Sequence, residues 1–162
     1  MMWRVGILTC SDKGSRGERE DRSGDEIRRM VSRMDGEVIR YEVVADDLDI
    51  IREKLVQMAD EDQLDLIVTT GGTGLSPRDV TPEATRAVIH REVPGIAEAM
   101  RVATLKKTPY AMLSRAVAGT RNTTLIFNVP GSPKAVRECL DVVMDVLPHA
   151  LETLSGRYGD HE

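Results

Sequence analysis

Short apolar runs alternate along the chain with stretches in which apolar residues recur every three or four positions, the signature of alternating strands and helices. Residues 5–9 read as a first strand. Residues 24–34 read as a helix with Ile27, Met30, Val31 and Met34 on one face, and Ser23 with Glu26 fits a capping box at its start. A second strand over 37–44 precedes a helix whose apolar stripe is Ile51, Leu55, Met58 and Ala59. Residues 64–68 form an apolar run rich in branched side chains, which suits a strand covered on both faces. Thr81 and Pro82 open the next helix, with the threonine oxygen as cap and the proline where a missing N–H costs nothing. A helix over 95–105 and a turn begun by Thr108-Pro109 follow. Residues 115–120 and 123–127 read as a β-hairpin around Arg121-Asn122. The last helix starts at Ser132-Pro133, turns Val136, Leu140, Val143 and Leu147 inward, and is kinked or divided at Pro148. The predicted fold is α/β: three layers, doubly wound, a mostly parallel sheet with helices on both faces and one β-hairpin.

At 162 residues the chain reads as a single domain over 1–162, able to bury a core without disulfides or metal staples. A net charge of -5 with one Trp, one Phe and three Tyr argues against a nucleic-acid binder, which would present a basic face and aromatic platforms. No apolar run approaches membrane-spanning length, and the start of the chain does not resemble a signal peptide, so a cytoplasmic protein is expected. Cys10 and Cys139 fall in a strand pattern and a helix pattern, which points to buried thiols rather than a disulfide. His90, His149 and His161 lack ligand spacing with either cysteine.

Polar residues gather after the strands. Ser11-Asp12 follows the first and Asp46-Asp47 the second. Gly71-Gly72-Thr73-Gly74 with Asp79 follows the third, and Asn128 through Lys134 follows the last. Ligands of open α/β sheets bind beyond the carboxyl ends of strands, so one cleft lined by all four segments is expected. The glycine turn is neither a Walker loop, since Leu75 follows Gly74, nor a dinucleotide fingerprint, since Pro77 stands at the third glycine position. Two strand-to-helix turns, one ending at Thr81 and one at Ser132, offer helix amino termini for two anionic groups. Carboxylates beside phosphate-binding turns are reconciled by magnesium, which takes one or two carboxylates together with phosphate oxygens. Asp46 and Asp79 are the preferred pair. The plainer alternatives are that Asp46 caps the second helix and that Asp79 pairs with Arg78. Residues 13–22, charged and nearly free of apolar side chains, read either as a solvated loop or as a lid over bound phosphates.

These motifs resemble the MogA/MoaB family of molybdenum cofactor biosynthesis, whose domain also occurs in gephyrin. The resemblance covers nearly the whole chain: Asp21-Arg22-Ser23-Gly24, the run from Thr70 through Ala84, the segment Ala111-Met112-Leu113-Ser114-Arg115, and Asn128 through Ala135. It implies a molybdopterin adenylyltransferase that uses ATP and Mg2+ to adenylylate the terminal phosphate of molybdopterin with release of pyrophosphate. By the same resemblance Asp46 and Asp79 are the essential carboxylates and magnesium ligands. Gly71, Gly72, Thr73 and Gly74 contact phosphate or nucleotide, and Ser11, Asp12, Thr104, Ser114, Asn128, Gly131 and Ser132 line the rest of the site. A homo-oligomer, trimer or hexamer, and a downstream molybdate-insertion protein are the implied partners. Ala45 stands where relatives often carry proline and Thr104 where they often carry serine. The segments around Thr108 and Leu147 look more like the MogA branch. The alternative is a MoaB-like carrier or scaffold that binds molybdopterin without turnover.

Overall fold

The computed structural model describes residues 2–156; His161 lies outside them. Six strands form one sheet in the order β2-β1-β3-β6-β5-β4, with β1 Trp3–Cys10, β2 Gly36–Val44, β3 Leu66–Thr70, β4 Arg91–Glu92, β5 Ala118–Arg121 and β6 Thr124–Val129. The first four in this order run parallel. The last two are antiparallel additions, β5 through the expected hairpin with β6 and β4 against β5. Asn122 sits at the hairpin tip with φ +52°, a left-handed conformation that asparagine tolerates well.

A single helical turn, α1 (Asp12–Ser15), follows β1. Alternation along the strands sends side chains to two cores. On one face Val5, Ile7, Leu66, Val68, Leu125 and Phe127 pack with Ile27 and Met30 of α2 (Arg22–Val31), Met100 of α5 (Pro94–Leu105), Val136 and Leu140 of α6 (Pro133–Val143) and Leu147 of α7 (Leu147–Ser155). On the other, Leu8, Ile67 and Ile126 pack with Ile51 and Leu55 of α3 (Leu48–Val56) and with Ala84 and Val88 of α4 (Thr81–Val88). The expected three-layer α/β architecture is therefore observed, including the division of the last helix before Pro148.

Several local expectations are corrected. Helix α2 is capped by Asp21, whose carboxylate accepts from the Gly24 N–H at 2.9 Å. Ser23 instead donates to the Gly131 carbonyl at 2.6 Å, so it serves a tertiary bond rather than a capping box. No side chain caps α4; the Thr81 N–H donates to the Gly72 carbonyl at 3.2 Å, and the Thr81 side chain is buried. Strand β3 begins two residues later than its apolar run suggests. Asp65 flanks the strand with reciprocal bonds to Arg4, and Thr69 and Thr70 extend the strand because each hydroxyl finds a partner. Short β4 is exposed and carries no apolar signal.

Both cysteines are free and buried. Burial pushes the Cys10 thiol up to about 12 and the Cys139 thiol to about 11. Native protein at pH 8 should therefore react with an aromatic disulfide reagent only slowly, with both thiols appearing promptly on denaturation. A fast stoichiometric native reaction would contradict this burial.

Candidate functional site

The parallel ladder aligns the carboxyl ends of the central strands. Thr9 is opposite Thr70, Thr70 opposite Val129, and Cys10 opposite Val44. The segments that leave these ends therefore meet along one edge, where the strand order reverses between β1 and β3.

They line two cavities rather than one cleft. The larger, about 660 Å³, includes Ser11, Asp46, Gly71, Gly72, Gly131 and Ser132, together with Arg19, Asp21, Arg22 and Ser23 from the charged segment and the start of α2. The smaller, about 270 Å³, includes Thr73, Gly74, Thr104 and Ser114, with an apolar wall of Ala97, Met100, Tyr110 and Leu113. The glycine turn is the shared partition: its first two residues face one cavity and its next two face the other. Arg101 borders the smaller cavity and donates to the backbone carbonyls of Ser114 and Ala116.

Asp12 and Asp79 line neither cavity, and two further predicted elements do not take the expected place. Asn128 is fully buried: its amide oxygen accepts from the Val117 N–H at 3.1 Å, and its amide nitrogen donates to the Thr69 and Thr85 hydroxyls. It fixes β6 against its neighbours and does not line either cavity. The start of α4 is likewise largely closed, with Thr81 and Pro82 buried, the Thr81 N–H spent on the Gly72 carbonyl and the Ala84 N–H on the Val80 carbonyl. Among the longer helices, the starts that do face the larger cavity are those of α6 and α2. At α6 the expected cap forms, Ser132 Oγ accepting from the Ala135 N–H at 3.1 Å.

The carboxylates are arranged by mutual bracing. The Asp12 N–H donates to Asp46 Oδ2 at 3.0 Å, and the Asp46 N–H donates to Asp12 Oδ1 at 2.9 Å. Arg78 grips Asp12 through Nε at 3.0 Å and Nη2 at 2.9 Å, so its partner is not Asp79. Asp47, not Asp46, caps α3, accepting from the Ile50 N–H. Asp46 Oδ1 is consequently left buried with no hydrogen-bond partner, as is the nearby Thr81 Oγ1. Both crowd Gly72, where a Cβ would overlap the Thr81 hydroxyl and lie 3.2 Å from Asp46 Oδ1. The Arg78 fork and the Asp46 N–H hold the Asp12 carboxyl down at about 2. Burial raises the Asp46 carboxyl above its ordinary value; the Asp12 N–H opposes this, and the charges of Asp12 and Asp79 reinforce it. Asp79 is half-buried, with Oδ2 accepting from the Ser76 N–H at 3.0 Å.

An orphaned carboxylate oxygen, raised by burial and by like charge, is a poor resting state for the protein alone. It fits a divalent cation. Among the described residues no three His, Cys, Asp or Glu side chains converge on one point. A cation here would therefore share Asp46, and Asp79 beside it, with ligand phosphates.

Residues 6–149 match the family model described as "Probable molybdopterin binding domain". The chain belongs to this family. It is 46% identical over 95% of its length to a molybdopterin adenylyltransferase of Helicobacter pylori strain J99, covering 89% of that relative. The solved structure of the molybdopterin biosynthesis enzyme MoaB from Thermus thermophilus is 57% identical, with a TM-score of 0.91, covering 96% of this chain and 98% of that one. A molybdopterin biosynthesis Mog protein from Mycobacterium ulcerans is 42% identical with a TM-score of 0.87, covering 94% and 99%. The names run across both branches, so they do not carry the expected leaning towards MogA.

Missed from the sequence were the bonds of Arg78, Arg115, Thr9, Ser23 and Asp21. Asp21 accepts from the Thr9 hydroxyl at 2.6 Å and from the Tyr41 hydroxyl as well as capping α2, which ties the charged segment to β1 and β2. Its place in the motif Asp21-Arg22-Ser23-Gly24 was the available signal.

Proposed function

We propose that this family member adenylylates molybdopterin. An oxygen of the pterin's terminal phosphate attacks the α-phosphorus of ATP, the bond from that phosphorus to the α,β-bridging oxygen breaks, and pyrophosphate leaves with the electron pair. The observation that carries the reading is the buried, partnerless Asp46 Oδ1 beside the glycine turn, in a chain of this family. Asp46 and Asp79 would hold Mg2+, which when bound supplies positive charge against the phosphate oxygens.

The protein's own contribution is positioning. The Asp12 and Arg78 brace keeps Asp46 turned towards Gly72 before any ligand arrives. Amides at the start of α6 and the Gly131 turn are set to receive phosphate oxygens. The two cavities suit two flat heterocycles joined through phosphates at the glycine partition, and the apolar wall with Tyr110 suits a ring in the smaller one. Such a reaction needs little covalent chemistry from side chains; alignment and charge stabilisation supply most of the rate.

Among the described residues no helix is long and apolar enough to cross a membrane; a cytoplasmic location is part of the proposal. So is a homo-oligomer, a trimer by resemblance to the family; the exposed apolar side chains Val102, Tyr110, Met112 and Leu113 support self-association. Incubation with α-phosphate-labelled ATP, Mg2+ and molybdopterin should move the label into an adenylylated pterin. Label that stays in nucleotide while both ligands are bound would refute the reading.

A further inference from the structure

Arg115 bonds to the loop between β3 and α4 at three carbonyls and to α4 at Glu83. Its Nε donates to the Gly74 carbonyl at 2.8 Å and its Nη2 to the Asp79 carbonyl at 2.8 Å. Its Nη1 donates to Glu83 Oε2 at 2.5 Å, and its backbone N–H donates to the Thr73 carbonyl at 2.8 Å. One side chain therefore holds both ends of residues 74–79 and is itself anchored on α4. It also holds the Glu83 carboxyl below its ordinary value.

Among the described residues the loop's one other tether outside itself is the Arg78 fork on Asp12. Leu75, Ser76, Pro77 and Arg78 are exposed, and none of them belongs to either core. Within the loop the Asp79 N–H donates to the Ser76 carbonyl at 2.9 Å and the Ser76 N–H returns to Asp79 Oδ2 at 3.0 Å, a small closed turn whose position depends on its ends. Three separately placed acceptors match the planar fork of a guanidinium, and a lysine ammonium cannot reach all three at once.

We propose that Arg115 is the positioning residue for Asp79: it clamps the 74–79 loop so that the Asp79 carboxylate stands beside Asp46 before ligands bind. Only the kinetic arm of the test rests on the adenylyl-transfer reading. The clamp itself is read by hydrogen exchange on the free protein.

Arg115→Lys and Glu83→Gln, each checked for folding by circular dichroism, are compared with the parent chain. Exchange in the peptide covering 74–79 should quicken by about tenfold in Arg115→Lys, and less in Glu83→Gln, with the core strands unchanged. In Arg115→Lys kcat should fall on the order of 10²-fold with KM nearly unchanged. Placed in an Asp79→Asn background, Arg115→Lys should add no further loss, because both changes remove one function. Unchanged loop exchange in both variants, or losses that add fully in the double variant, would overturn the clamp. Should Arg115→Lys fail to fold, Glu83→Gln carries the same readouts. A parent chain that never turns over would sink the adenylyl-transfer reading, while loop exchange would still decide the clamp.

Discussion

Asp46→Asn should cost about 10³-fold in activity, the scale of losing a preorganised electrostatic group, while making the ligand-free protein melt about 2 °C higher. The opposite signs follow from one fact. Asp46 Oδ1 is buried without a partner and its carboxyl is raised by burial, with the charges of Asp12 and Asp79 adding to the rise. A carboxyl with a raised folded pKa resists ionisation more in the native state than in the unfolded chain. Its unfavourable contribution is therefore absent at low pH and develops as pH rises from the ordinary carboxylate value through the folded one. At neutral pH the native chain carries that burden and the asparagine variant does not. The gap in melting temperature should close below about pH 4, where both states of the carboxyl are protonated. Added Mg2+ should raise the melting temperature of the parent chain and leave Asp46→Asn unmoved. A variant less stable than the parent at pH 7 would show that the orphaned oxygen is not a strain on the free protein.

Gly71→Ala should be severely damaging for the addition of a single methyl. Gly71 has φ +92°, and a Cβ built there would overlap the Cys10 carbonyl oxygen, a backbone atom at the end of a buried strand that cannot swing aside. Conformational strain and clash together should cost about 3 kcal/mol or more, a fall of roughly 6 to 12 °C in melting temperature. Gly17→Ala is the control. Its φ of +74° is also left-handed, but a Cβ there meets nothing within 4 Å, so about 1 kcal/mol of backbone strain is all it should show. Similar losses at the two positions would mean that the close packing of the glycine turn on β1 contributes nothing.

The fold was readable wherever burial coincided with residue type. The stripes on α2, α3 and α6 and the hairpin at Asn122 all follow from apolar periodicity or turn chemistry, and Ser132 caps α6 as its type suggests. Reading failed where a polar side chain is satisfied by a partner distant in the chain. Thr69, Thr70 and Asn128 look like loop or site residues, yet they are buried because they bond to one another and to the Pro130 carbonyl across strands. Ser23 looked like a local cap and instead bonds to a carbonyl 108 positions away. The site shows the same division. Asp46 and the glycine turn stood out because polar segments gather after several strands, where open α/β sheets bind ligands. The Asp12 brace and the Arg115 clamp join segments that no spacing rule connects.

The central claim is adenylyl transfer to molybdopterin, and pyrophosphate release tests it most directly. ATP and Mg2+ are supplied with and without molybdopterin to the parent chain and to folded Asp46→Asn and Asp79→Asn variants. The account predicts release only when the pterin is present, and its loss in both variants. Tight pterin binding with no release from the parent chain would contradict it, and would leave a carrier whose carboxylates only hold the ligand.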